Sequence, residues 1–462
     1  MGSFRIIYRG EEGAGAYMRA RALTYKPIGG TGEPPPIGAW VCAYIQDVLS
    51  DAPDGGGITG GLPNNPGKPA FSPDDMYLAV PCAVSPYLAL YKKNGAGGYN
   101  QIDAGKIDVY PTGAAQSCAF SPDGRYLAVN HTTTPFITLY SVYAPEDIFT
   151  KQPNPASLPA GNGFYDCAFS PDGSWLALAR SAQLYVYAFA DGVLTLRQPT
   201  SLPGYEVRSV AFTPDGKYLL IESARTNSST YYNLMRCYAL ASGTPTLSNS
   251  SDYSTTNSSV RGRGLAISPR SPGGAAGYWG VDSPNGTSKS RNTFKLSEGG
   301  VFTRTANASN TTAMFGAPVA TTGAGAFTPD GLLYIYAQDA SKNICFSAVS
   351  GGVYAAGTFT PVAGMTYATA FNIVINHAGD RALATTVNTA ANGNYVWLAI
   401  DQRVYLDALT SGFAAAHAYD DLCGVGVTEA PPDARGDVLA QFSDAAKDFF
   451  GFRDDTVNAW RA

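Results

Sequence analysis

The chain has 462 residues, of which 45% are hydrophobic, 12% are aromatic and 15% are charged, so it can bury a large core. The net charge is −5, and the sequence contains no run of Lys and Arg residues that could follow a phosphate backbone. It also contains no stretch of about 18 consecutive apolar residues. These features argue against nucleic-acid binding and against membrane insertion.

Residues 1–65 carry no repeated motif and are predicted to form a few strands followed by a linker rich in Gly and Pro. The strand-like segments are 4–8, 17–23 and 40–45, and one of them is expected to complete the last sheet of the domain that follows. The start of the chain lacks an apolar segment and a cleavage site, so no secretory signal is predicted. We therefore expect the protein to be made in a cytoplasm.

A six-residue motif, Ala-Phe-Ser/Thr-Pro-Asp-Gly or a close variant, recurs through the middle of the chain. Its proline occupies six positions: Pro73, Pro122, Pro171, Pro214, Pro269 and Pro329. A weaker seventh copy begins at Ala370 and has no proline. Self-similarity at a period of roughly 40–60 residues marks repeated units that cannot bury their apolar faces alone. Residues 66–424 are therefore predicted to form one repeat domain.

Each repeat has the pattern of four short strands joined by polar turns. In the second repeat the predicted strands cover 116–121, 125–129, 136–140 and 148–151. In the motif, the proline presets φ, the Asp can bond to nearby backbone, and the Gly supplies a positive φ, which together favour a tight turn. Four-stranded units of this length around an axis are the blades of a β-propeller. We therefore predict an all-β fold, a seven-bladed β-propeller of four-stranded antiparallel blades, with six or eight blades as alternatives.

The repeated strings resemble the PD40/WD40-like family of propeller repeats, as in the TolB C-terminal domain and in YVTN-type propellers. The resemblance covers roughly residues 66–408 and rests on the Ala-Phe-(Ser/Thr)-Pro-Asp-Gly motif. It implies a propeller fold and says little about activity, because YVTN-like propellers include lactonases. Trp-Asp and Gly-His pairs are missing from the repeats, so the resemblance does not extend to the scaffold roles of eukaryotic propellers.

Residues 425–462 differ in character and are predicted to form a tail with an amphipathic helix over 437–450. The apolar residues that recur at helical spacing, with one neighbour, are Leu439, Phe442, Phe449 and Phe450. Such a helix either packs back on the propeller or docks into a partner. We name it as a candidate docking helix.

The sequence offers no catalytic signature. Its seven cysteines are scattered without a CxxC pair, which argues against a disulfide framework and a zinc ribbon. The three histidines, His131, His377 and His417, fall in different segments without metal-binding spacing. No P-loop or Gly-x-Ser-x-Gly elbow is present. We therefore predict no catalytic, cofactor-binding or metal-binding residues and no cofactor.

Binding is the usual role of a propeller surface. Loops between the second and third strands share one face with the loops between repeats, and insertions in such loops often carry recognition. The candidate binding residues on that face are His131, Tyr165, Asp166, Arg180, Tyr205, Arg208, Arg225, Tyr231, Asp282 and Asp339.

Three functions are compatible with these observations. The composition, with low charge and many Gly, Ala, Thr, Asn and Tyr residues, is similar to that of virion proteins of tailed bacteriophages. The favoured hypothesis is therefore a non-enzymatic structural or adhesive binding module. It would be a tail or tail-fibre component that is made in the host cytoplasm and contacts other virion proteins or a host surface glycan. The alternatives are a propeller enzyme of lactonase or hydrolase type and a cytoplasmic protein-interaction scaffold.

Overall fold

A computed structural model of the chain divides it into two compact units, one formed by residues 1–45 with 413–462 and the other by residues 46–412. The structure describes residues 3–4, 23–24, 49–51, 57–159, 164–227, 230–240, 244–255, 261–269, 278–285, 292–304, 325–329, 331, 333–338, 343–350, 353–359, 371–386 and 395–400. In the first unit, strands β1 (Ser3–Phe4) and β2 (Leu23–Thr24) pair antiparallel.

The described residues of the second unit form mainly β-strands. Its first part contains β3 (Leu49–Asp51), β4 (Ile58–Thr59), β5 (Ala70–Phe71), β6 (Tyr77–Pro81), β7 (Leu88–Lys93), β8 (Tyr99–Gln101), β9 (Ala115–Phe120), β10 (Tyr126–His131), β11 (Ile137–Tyr143), β12 (Ile148–Lys151), β13 (Phe164–Phe169), β14 (Trp175–Ala190), β15 (Val193–Phe212), β16 (Tyr218–Asn227), β17 (Thr230–Ala239) and β18 (Thr246–Thr255). Its second part contains β19 (Arg261–Ile267), β20 (Tyr278–Asn285), β21 (Asn292–Leu296), β22 (Phe302–Arg304), β23 (Ala326–Phe327), β24 (Leu333–Gln338), β25 (Asn343–Ser350), β26 (Val353–Phe359), β27 (Phe371–Ile375), β28 (Arg381–Thr386) and β29 (Tyr395–Ile400).

These strands form six sheets, so the all-β fold class is confirmed. The strand orders are β4-β8-β7-β6-β5, β12-β11-β10-β9, β13 to β18 in sequence order, β19 to β22 in sequence order, β23 to β26 in sequence order, and β27-β28-β29-β3. Neighbouring strands pair antiparallel apart from β4 and β8, which pair parallel.

The prediction of seven blades is wrong, because the described residues form five blades of four or five strands. Five sheets have four or five strands, whereas the third and fourth copies of the motif lie in one six-stranded sheet. Strand β15 runs without a break through the segment that was expected to be the loop between two blades. Pairing with β14 spans this segment across a shift in register, since Gln183 opposes Ser201 and Ser181 opposes Glu206. The side chain of Leu202 is also buried, so this segment is held by packing as well as by backbone pairing.

The helical tail is not part of the fold that the structure describes. The predicted helix, with Leu439, Phe442, Phe449 and Phe450, lies outside the described residues. Within the described residues, the helical segments are two short 3-10 turns, Ala104–Lys106 and Ala144–Glu146.

The repeated motif forms a tight turn between the first two strands of a repeat. In the second copy, Ser121 Oγ donates to Asp123 Oδ1 at 2.5 Å, and the backbone N–H of Tyr126 donates to Ser121 Oγ at 3.0 Å. Gly124 completes the turn at a φ of 70°, a conformation that glycine adopts without steric cost. The same hydroxyl-to-carboxylate bond joins Ser72 to Asp74, Ser170 to Asp172 and Thr213 to Asp215. The motif is therefore a structural element of the fold.

The innermost strands of the repeats contact one another in a closed series. Strand β5 contacts β9, β9 contacts β13, β13 contacts β15, β15 contacts β19, β19 contacts β23, β23 contacts β27, and β27 contacts β5. The last sheet is completed by β3, which pairs with β29 so that Asp51 opposes Leu398. An N-terminal strand thus completes this sheet, although it lies just after the predicted 40–45 segment.

The hydrophobic core lies between neighbouring sheets. Leu90 and Ile107 of the first repeat pack with Leu127 and Phe149 of the second, and all four are buried. Similar clusters join the second repeat to the third and the last repeat to the first. Because a single sheet cannot cover both of its faces, each repeat depends on its neighbours for burial.

Candidate functional site

Antiparallel pairing gives each sheet two distinct ends. The motif turns and the turns between third and fourth strands lie at one end, as the second repeat shows. The loops between second and third strands lie at the other end, beside the starts of the innermost strands. We call this second end the loop end, and it is where the predicted binding residues belong.

The structure brings several predicted residues together at the loop end and leaves others outside. Side chains are described for His131, Tyr165, Asp166, Arg180, Tyr205 and Arg208. The backbone places Arg225 on β16, Tyr231 on β17 and Asp282 on β20, where Asp282 opposes Leu265. Asp339 lies outside the described residues. The use of these residues in binding stays a prediction.

An ion pair between a partly exposed lysine and a buried aspartate lies at the loop end. Lys68 Nζ is 2.8 Å from Asp166 Oδ1, and the two side chains are 32% and 4% exposed. The same oxygen accepts the backbone N–H of Cys167 at 3.0 Å. The other carboxylate oxygen accepts Ser209 Oγ at 3.0 Å and the N–H of Val210 at 3.1 Å. Four donors therefore converge on one carboxylate.

This ion pair connects several repeats through one network. Lys68 precedes β5 in the first repeat, Asp166 lies on β13 in the third, and Ser209 lies on β15 at the start of the fourth. Ser209 Oγ in turn accepts the backbone N–H of Leu265, on β19, at 3.2 Å. Burial alone would lower the pKa of Lys68, but the charge and hydrogen bond of Asp166 outweigh it and raise that pKa. Lys68 is therefore a cation.

Two thiols and an amide extend the network through the second repeat. Asn130 Nδ2 donates to Ser117 Oγ at 2.9 Å, and Ser117 Oγ donates to Cys167 Sγ at 3.2 Å. Burial raises the pKa of the Cys167 thiol to about 12 and raises that of Cys118 as well. Both thiols are therefore protonated at neutral pH, whereas a nucleophilic cysteine needs a thiolate. We call Lys68, Ser117, Cys118, Asn130, Asp166, Cys167 and Ser209 the inner polar cluster.

An arginine and a tyrosine stack beside this cluster. The guanidinium carbon of Arg208 lies 4.1 Å from the centroid of the Tyr165 ring, within the range of a cation–π contact. Arg208 is 8% exposed and is also paired with the carboxylate of Glu206. Tyr165 and Tyr205 are half-buried, so part of each side chain reaches solvent at the loop end.

Two of the predicted residues are held in internal contacts. His131 is fully buried, and its Nε2 lies 3.0 Å from Thr138 Oγ1. Burial lowers the pKa of His131 to about 4, so the ring is neutral at neutral pH. Arg180 is 8% exposed, and its Nη1 donates to Gln183 Oε1 at 2.8 Å. Neither side chain is displayed on the surface as the prediction assumed, because each packs inside its own repeat.

Most residues of the inner polar cluster were not predicted as site residues, although the sequence contains a signal for them. Lys68, Ser117, Asp166 and Ser209 all stand two residues before the alanine of their motif copies. Because they share one register position on equivalent inner strands, they face a common region. Polar residues at one position of every early repeat would have indicated a shared internal network.

The described residues contain neither a metal-binding cluster nor a membrane-spanning helix. Among the described residues, no three His, Cys, Asp or Glu side chains are grouped so that they could hold a metal ion. The described part of the chain likewise includes no helix that is long and apolar enough to span a membrane.

The fold can be compared with solved structures. The chain matches the β-propeller domain of Cps50 (Swd1) from Myceliophteria thermophila with a TM-score of 0.50 and 10% identity, covering 74% of this chain and 99% of that one. The fold is a β-propeller. It matches hydrazine synthase from Kuenenia stuttgartiensis with a TM-score of 0.50 and 14% identity, over 74% of this chain and 99% of that one.

A third match is weaker. The propeller matches a putative 6-phosphogluconolactonase from Bacteroides fragilis with a TM-score of 0.45 and 13% identity, over 63% of this chain and 82% of that one. At such identities the likeness to solved structures shows the fold alone. No family model matches the chain, and no curated protein matches it.

Proposed function

We propose that the protein is a non-enzymatic binding module, built on PD40/WD40-like repeats, that contacts other proteins or a surface glycan through the loop end of its propeller. The observation that carries this proposal is the state of the inner polar cluster. Its ionisable groups are engaged with one another, as in a structural network. The ligand-facing groups are then the partly exposed tyrosines around it.

The reactive groups in this region are poorly suited to catalysis. A general base needs a lone pair directed at the substrate, but both oxygens of Asp166 already accept hydrogen bonds, two on each. The thiols of Cys118 and Cys167 are protonated, and His131 is neutral and fully buried. These contacts favour binding over a lactonase or hydrolase reaction.

The half-buried tyrosines supply the contact surface. Tyr165 lies against Arg208, which fixes the ring and neutralises part of the charge of Glu206. A rigid aromatic ring offers a large contact area at a low cost in conformational entropy, and it can also donate or accept a hydrogen bond. Tyr205 lies nearby along β15 and adds a second ring of the same kind. Such a surface suits either a protein partner or the apolar face of a sugar.

The composition of the chain supports a proposal about where the protein works. Low charge and abundant Gly, Ala, Thr, Asn and Tyr support a tail or tail-fibre component of a bacteriophage virion, and a cytoplasmic scaffold is the alternative location. Mass spectrometry of purified particles and of cell fractions tests this part separately. Recovery of the protein in a cell fraction alone would contradict the virion setting and would leave the binding role intact.

Binding itself is tested with the purified full chain on a glycan array and on isolated assembly proteins. We expect Tyr165→Ala to weaken binding at least about tenfold, because it removes an interface aromatic residue. Tyr143→Ala is the matched control, since Tyr143 is 55% exposed and lies at the opposite end of its sheet. An equal loss of binding in both variants would contradict the proposal that the loop end is the binding surface. Turnover of a lactone or glycoside that Asp166→Asn abolishes would instead establish an enzyme.

A further inference from the structure

The junction between the last and first repeats departs from the motif at two positions. At the fourth turn position, where other clear copies have Gly124, Gly173 or Gly216, the first copy has Asp75. At the second turn position, where six copies have proline, the last copy has His377, because its turn covers 376–379, four residues later than a motif that begins at Ala370 would place it. The last copy still forms the same turn, because Arg381 N donates to Asn376 Oδ1 at 2.9 Å as Tyr126 N does to Ser121 Oγ.

At the other junctions, the glycine and proline positions lie next to each other. A Cβ atom added to Gly124 would lie 3.7 Å from Cδ of Pro73, the proline of the preceding copy. The corresponding distance from Gly173 to Pro122 is 3.5 Å, and that from Gly216 to Pro171 is 3.9 Å. The glycine of one turn thus lies beside the proline of the turn before it, with room for a Cβ atom between them.

At the closing junction, hydrogen bonds join the two positions. The backbone N–H of His377 donates to Asp75 Oδ1 at 2.7 Å, and that of Ala378 donates to Oδ2 at 2.8 Å. Nδ1 of His377 lies 3.3 Å from Oδ1. Asp75 is 4% exposed and adopts a φ of 57°, in the left-handed region that Asp tolerates better than most residues.

The two departures are matched chemically. Proline has no N–H, so a copy with proline at the second position could not make the bond that His377 makes. Glycine has no side chain, so a copy with glycine at the fourth position could not accept it. We propose that Asp75 and His377 form a closure clasp, a conformational device that specifies the joining of the last repeat to the first.

The clasp distinguishes the last repeat from the others because the other turns have proline, which has no N–H, at the position of His377. An array of similar sheets leaves an apolar sheet face uncovered at each end until it closes, and such a face can pack against a second chain. A carboxylate buried against a proline turn would lose a donor and keep the cost of desolvation. Asp75 therefore favours packing of the first repeat against the repeat that carries His377. It disfavours packing against any other repeat, because its carboxylate would then be buried with too few donors.

The clasp is tested by hydrogen exchange on the full chain in Asp75→Gly. We expect amide exchange in peptides covering 371–386 and 70–82 to become at least about tenfold faster, while peptides covering 115–151 are unchanged. The double variant D75G/H377P recreates the Gly–Pro pair of the other junctions. We expect it to restore exchange to within about threefold of the wild type. The fraction of dimer after refolding should rise in D75G and fall again in the double variant.

Two further variants keep the test decisive. Asp75→Asn retains the backbone conformation and one acceptor, so it should give an intermediate rate even if D75G folds poorly. Gly124→Asp places a carboxylate against Pro73, and it should destabilise its own junction without a compensating bond. Exchange in D75N equal to that of the wild type, or a double variant as fast as D75G, would overturn the proposal.

Discussion

The ion pair in the inner polar cluster gives the sharpest prediction about stability. In Asp166→Asn, one carboxylate oxygen becomes an NH2 group that faces two donors in either orientation, because each oxygen of Asp166 accepts two hydrogen bonds. Removing one partner of a buried ion pair costs about 3–5 kcal/mol. The side chain of Lys68 is 32% exposed and can regain some hydration. We therefore expect a loss at the lower end, about 3 kcal/mol.

The loss is measured as the free energy of unfolding in urea, followed by tyrosine fluorescence and circular dichroism. Lys68→Met and the double variant complete a mutant cycle, which should give a coupling energy because the two side chains touch. Asp123→Asn is the matched control, since Asp123 is 42% exposed and its partner Arg125 is 66% exposed. It should lose much less stability. Equal losses in the two Asn variants, or no coupling, would refute the assigned role of the pair.

Two other predictions follow from buried contacts. Stability should fall as the pH drops from 6.5 to about 4, because His131 stays neutral in the fold with a pKa of about 4 and gains its proton on unfolding. The full loss in the free energy of unfolding is about 3 kcal/mol. Urea unfolding of His131→Gln should lack this component, so a variant with the same pH profile as the wild type would contradict the prediction. Gly67→Ala should cost about 1–3 kcal/mol through overpacking, because its Cβ would lie 2.2 Å from the backbone oxygen of Gln116. Thermal unfolding checks this against Gly95→Ala, whose Cβ would meet no atom within 4 Å, and equal shifts would exclude the clash.

Local turn chemistry made much of the fold predictable. Ser121, Asp123 and Gly124 specify their turn through contacts between residues that are close in sequence, so the motif alone was sufficient. Cys118 and Cys167 both precede the alanine of their motif copies and both are buried, as their equivalent positions in the repeats require.

The separation of the blades was not predictable in the same way. Whether the segment around Leu202 is a loop or part of a strand depends on its pairing with Gln183 and on burial against the core, which are tertiary effects. Turn propensity at Pro203 and Gly204 favoured a loop and was overridden. Sequence spacing therefore predicted repeated four-stranded antiparallel units but not how the strands are divided among sheets.

In the candidate site too, features set by local sequence were predicted and features set by tertiary contacts were not. Tyr165, Asp166 and Arg208 were selected because their loops share an end of the sheets, and the structure places them close together. Lys68 was missed because its role depends on a partner 98 residues away. His131 was read as a loop residue, but the backbone continues in β10 and carries the ring into the interior.

The uninterrupted course of β15 determines where the chain tolerates being cut. New termini placed between Val193 and Phe212 would cut the strand that pairs with β14 in one repeat and with β16 in the next, so a circular permutant opened there should destabilise both repeats. The segment 153–158, which lies outside the strands after β12, carries no such ladder. It is the better place to open the chain or to insert a tag.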